Sequence, residues 1–184
     1  MSAPQEEGPA VEVDETSARD AARIREAVHA LGGGRVERAA DLTTQLVFER
    51  PSVDVYAVCC GIAQYAVDVL AALNGVEGVQ GPPGGGPWTA DALRPEDLSP
   101  DPAEAFARVF LHAYAQEGAG GPGTVDAFNR MAVHDGGGAH VMRCVAHLVQ
   151  HIAEVQAAAV ARQVEAMALA RQMKADGGGR RDES

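Results

Sequence analysis

An all-α domain of five or six helices, bundled or orthogonal, with a long C-terminal helix, is what this sequence predicts. Three observations carry the prediction. Apolar residues recur at three- and four-residue spacing in successive segments. Glycine clusters, prolines and capping residues punctuate those segments. The stretch from Ala139 to Ala175 contains neither Gly nor Pro and is rich in good helix formers. The 184 residues suit one domain, and the apolar supply is mainly Ala, Val and Leu, with aromatics at only 4%. A core of that composition is expected from close helix packing rather than from large anchors.

The elements follow in order. Residues 1–14 are acidic with Pro4 and Pro9, which predicts a disordered leader. Residues 15–176 are expected to form one helical domain, and residues 177–184 a disordered tail. The first helix is expected from Thr16 or Ser17 to Leu31, with Ala21, Ile24, Val28 and Leu31 on one stripe and Gly32-Gly33-Gly34 as its stop. The second, from Arg35 to Phe48, is expected to turn Val36, Ala39, Ala40, Leu46 and Val47 inward, and Pro51 breaks the chain. A third helix, N-capped by Ser52 and closed by Asn74-Gly75, is the most apolar and is therefore expected at the centre. Within it, Asp54, Ala57, Gly61, Gln64 and Asp68 share a sector, a small and polar seam.

Val76 to Pro100 is a Gly- and Pro-rich loop with a helical turn at Ala90–Leu93 and the sole tryptophan, Trp88. Trp88 is expected to pin this loop to the core; a ligand pocket beneath the loop is the other use of it. Asp101-Pro102-Ala103-Glu104 combines an N-cap, Pro at the first position and Glu at the third, a strong start for a fourth helix burying Phe106, Val109, Phe110 and Ala113. Thr124 is expected to cap a short fifth helix with Phe128, Met131 and Ala132 inward.

Charge narrows the function classes. The formal net charge is −11, and the arginines are dispersed among more numerous carboxylates, with Lys174 the only lysine. A phosphate-binding face is absent, so neither nucleic acid nor an anionic membrane is an expected partner. Val53–Leu73 is long enough to span a bilayer, but Asp54, Gln64 and Asp68 within it favour a soluble core helix. Cys59, Cys60 and Cys144 make no disulfide framework, and no signal sequence opens the chain, so a reducing cytoplasm is expected. The Arg, Ala and Gly bias fits a high-GC bacterial genome.

The last helix is the most informative segment. At 1.5 Å per residue, Ala139–Ala175 makes a rod of roughly 55 Å, against about 40 Å for the diameter of a compact globule of this length. It should overhang its own domain. Val141, Val145, Leu148, Ile152, Val155, Ala159, Ala166, Leu169 and Met173 follow a four-three alternation broken at Arg162, an expected interaction seam. Beside it, His140, Cys144, His147 and His151 are spaced four, three and four, with Glu154 following. Imidazole and thiolate at that spacing suit a transition metal such as zinc, although one helix cannot surround an ion alone.

No phosphate loop, dinucleotide fingerprint, nucleophile elbow or zinc-finger spacing occurs. Glu26-Ala27-Val28-His29 has the Glu-x-x-His spacing of di-iron bundles without a second copy, and reads as solvated surface. The expected function is therefore non-catalytic: self-association, or docking of a protein partner, through the long last helix, with no cofactor. The alternative is a metal-binding bundle using the His/Cys stripe.

Overall fold

The computed structural model describes residues 15–49, 55–75, 87–93 and 99–178. Those residues form six α-helices and one 3₁₀ turn, with no strand among them: α1 (Glu15–Gly32), α2 (Val36–Phe48), α3 (Val55–Gly75), the turn Ala90–Leu93, α4 (Pro102–Glu117), α5 (Pro122–Ala132) and α6 (Gly137–Gly178). The leader, Ser52 and the tail beyond residue 178 lie outside the described residues.

Local chemistry explains most boundaries. Between α1 and α2, Gly34 adopts φ +73°, a left-handed conformation that closes the helix while Arg35 N–H donates to Ala30 O at 2.8 Å. At α4, Asp101 caps as the sequence predicts, its carboxylate accepting from Ala103 N–H at 3.0 Å. Glu104 completes the box indirectly. It accepts from the Ser99 hydroxyl at 2.7 Å, and Ser99 Oγ in turn accepts from Asp101 N–H at 3.2 Å. The fifth helix corrects an expectation: its N-cap is Gly121, and Thr124 lies inside α5, fully buried. The capping group there is Glu117 of α4, which accepts from Gly123 N–H at 2.8 Å.

The predicted stripes bury, shifted by a residue or two. On α1, Ile24, Ala27, Val28 and Ala30 are buried, whereas Ala21 is exposed. On α2, Ala39, Leu42, Thr43, Leu46 and Val47 face inward, while Val36 and Ala40 face solvent. On α4, Ala107 and Leu111 join Phe106 and Phe110 in the core, and Val109 stays at the surface. Phe110 packs edge-on against Tyr56 of α3, which packs in the same way against Phe128 of α5.

The central position belongs to α6 rather than to α3. It packs on each of α1, α2, α3, α4 and α5. The physical reason is that α6 is apolar on two faces along its front half, with Val145, Leu148 and Ile152 buried on one and Val149 and Ala153 on the other. Helix α3 is long and apolar enough to cross a membrane by length and composition, yet in this fold it packs on α1, α2, α4 and α6 and keeps one open face. That face is the small, polar seam read from the sequence: Ala57, Gly61, Gln64 and Asp68 are all exposed.

Candidate functional site

Helix α6 runs 42 residues, about 63 Å at 1.5 Å per residue. Its burial changes abruptly. Cys144, Val145, Leu148, Val149, Ile152 and Ala159 are essentially solvent-free, and from Val160 to Lys174 no side chain is buried. Val160, Val164, Met167, Leu169 and Met173 are between 50 and 67% exposed. Large apolar side chains clustered in this way on one protruding element mark an interaction surface far better than scattered ones do.

The expected seam is thereby divided. Val145, Leu148, Ile152, Val155 and Ala159 are buried in the domain's own core, with Val141 half-buried at its edge. They belong to the domain's single core cluster, so this part is not open to a partner. Ala166, Leu169 and Met173 continue the same face beyond the body into solvent.

The members of the His/Cys stripe turn to different neighbours, with His147 and His151 on the side that faces α4. The His140 ring stacks on His134 with centroids 3.8 Å apart, and its Nε2 is 3.4 Å from Cys144 Sγ. His147 Nε2 lies 3.6 Å from Asp101 Oδ2, the carboxylate that also pairs with Arg143 at 2.5 Å. His151 Nδ1 is 3.4 Å from Glu154 Oε2, while its Nε2 is buried without a hydrogen-bond partner among the described residues. Burial lowers the pKa of both His140 and His151, and it pushes the Cys144 thiol up to about 12, so the thiolate that a metal needs is disfavoured. Among the described residues, no group of three or more His, Cys, Asp or Glu side chains is arranged to hold a metal ion.

The other sequence leads resolve simply. Glu26 pairs with Arg38 at 2.6 Å on the surface, and His29 is exposed. Cys59 is fully buried and its pKa is raised by that burial; it is free, as are Cys60 and Cys144. Trp88 is buried, and Asn74 clamps its backbone, donating from Nδ2 to Trp88 O and accepting from Trp88 N–H, both at 2.7 Å. The predicted turn at Ala90–Leu93 follows, with Leu93 buried.

One feature escaped the sequence reading. Where α6 leaves the body, it forms one wall of an open, mostly apolar groove of about 990 Å³. The end of α1 contributes Val28 and the exposed His29, and α3 contributes Tyr65, Asp68, Val69 and Leu73. From α6 come Ala153, Gln156, Ala157, Val160 and Ala161. Gln156 donates to the Tyr65 hydroxyl at 3.4 Å, bridging two walls. Ala153, Ala157 and Val160, spaced four and three, continue as Val164 and Met167 on the same helix face. This second heptad register was visible as spacing, but its alanines concealed it beside the larger residues of the core-facing register.

No protein-family model, curated protein or solved structure matches this chain.

Proposed function

We propose that this protein is a non-catalytic helical protein that works by association in the cytoplasm, presenting the outer end of α6 and the adjoining groove to a protein partner or to a copy of itself. The carrying observation is the run of large apolar side chains, Val160 to Met173, standing half or more exposed on a helix that has left its own core. The scattered partners of His140, Cys144, His147 and His151 support giving the stripe a structural role along α6.

The test is the double variant Val164→Asp, Met167→Asp. Both positions are exposed, so helical content and melting temperature should match those of the parent. Association should be lost, read by sedimentation for self-assembly and by a photo-crosslinking residue placed at the exposed position 160 for any other protein. Association that survives both aspartates would refute the reading.

A further inference from the structure

We propose that the groove between α1, α3 and α6 receives the outer end of α6 from a second copy, in an antiparallel twofold pairing centred on residue 162. The proposal rests on the reading of the α6 end as a docking surface and specifies its occupant and register.

Continuity is the first argument. The face of α6 that lines the groove, Ala153, Ala157 and Val160, is the same face that emerges into solvent as Val164, Met167 and Arg171. One uninterrupted stripe is thus half concave wall and half free ridge, and a twofold axis sets each half of one copy against the opposite half of the other.

Register is the second. Pairs placed symmetrically about residue 162 all fall on the stripe: Val160 meets the partner's Val164, Ala157 meets the partner's Met167, and Ala153 meets the partner's Arg171. The sizes complement one another. The two small residues lie where the groove is formed, and the two long side chains lie on the ridge that would enter it. Arg162 itself points to the opposite side of the helix, about 200° around from Val160, so the axis brings no like charges together in the seam.

Charge is the third. Residues 160–174 carry Arg162, Arg171 and Lys174 against Glu165, a surplus of two positive charges on a chain of net −11. The remainder of the chain is correspondingly at −13. At the groove, Asp68 makes only the hydrogen bond from Gln64 at 3.0 Å and no ion pair among the described residues; Arg171 and Lys174 likewise have none. The antiparallel pairing brings the partner's Arg171 beside Ala153, in the groove that Asp68 lines. A parallel pairing would instead place two basic ends side by side and leave both grooves open.

The experiment combines sedimentation with cysteine pairing in the full chain, with Cys60→Ser throughout because Cys59 and Cys144 are already buried. Ala157→Cys and Met167→Cys, both at exposed positions, are prepared separately and oxidised alone and mixed. The expected result is a concentration-dependent dimer that gives disulfide-linked dimer only from the mixture. Its dissociation constant should rise at least about a hundredfold in Val164→Asp, Met167→Asp. Linkage within either single variant would overturn the register. A parent chain that stays monomeric up to its solubility limit, or native mass spectra showing a monomer carrying a small apolar molecule, would overturn the second copy as occupant without touching the docking surface. A dimer indifferent to the two aspartates would overturn both.

Discussion

Thr43 and Thr124 are both buried in helices, but only Thr43 bonds its hydroxyl, to Ala39 O at 2.8 Å. Thr124 Oγ1 has no partner among the described residues. Replacing an unsatisfied buried hydroxyl with a methyl group removes a desolvation cost, so Thr124→Val should be neutral or stabilising by about 1 kcal/mol in urea denaturation, whereas a loss of stability would reveal a partner for the hydroxyl. Asn74 is the opposite case. Its two bonds fix the Trp88 backbone to the end of α3, so Asn74→Ala should cost about 1–3 kcal/mol and shift the emission of the only tryptophan toward that of an exposed indole. His140 and His151 set the acid response. Burial lowers both pKa values in the fold, and for His140 the neighbouring His134 and Arg143 add to it. The unfolded chain takes up these protons near pH 6.5, so the stability they support is intact above about 6.5 and is lost as pH falls below it. Asp101, held low first by the Ala103 N–H and then by Arg143, and Glu104, held low by Ser99 and Arg108, lose their contribution only in more acid solution. Melting temperature should therefore fall between about pH 7 and 5, and His151→Gln should flatten that slope. At this scale, capping chemistry at Asp101 was legible because its partners are adjacent in sequence. The role of Glu117 at Gly123 was not, since it depends on the α4–α5 turn.

At the scale of the element, α6 carries two heptad registers about 140° apart, and a sequence alone does not say which of them the core occupies. Burial decides it. Ile152 is 1% exposed and Val164 is 61% exposed, so the same substitution has opposite consequences at the two sites. Ile152→Asp places an unpaired carboxylate in the core and should unfold the domain or lower its melting temperature sharply, seen by circular dichroism. Val164→Asp should leave the melting temperature within about 1–2 °C of the parent in the monomeric state. Helix length and the overhang were legible from the absence of Gly and Pro. The groove was not, because its other walls belong to α1 and α3, 80 or more residues away in the chain.

For the whole molecule, composition and spacing were enough for the helical class, since six periodic segments with clear stops leave few alternatives. They did not identify the central helix. Apolarity pointed to α3, but centrality depends on how many faces a helix can bury, and α6 has two where α3 keeps a polar seam in solvent. The charge separation between a basic helix end and an acidic body predicts that self-association weakens as salt rises, because exposed charges are screened over about 10 Å at 0.1 M. Arg171→Glu should weaken pairing more at low salt than at high, as measured by sedimentation; a salt-independent loss would point to packing alone.

The abrupt end of burial at Ala159 has a thermodynamic consequence along the helix. A helical segment of about 15 residues without tertiary packing is marginal in water, so the outer third of α6 owes its order to the turns it continues. Backbone amides near Ile152 should exchange with solvent only on global unfolding, while those beyond Val164 should exchange through local fraying. Occupancy of the overhang would erase that gradient, and the helix would then report, amide by amide, whether it is alone.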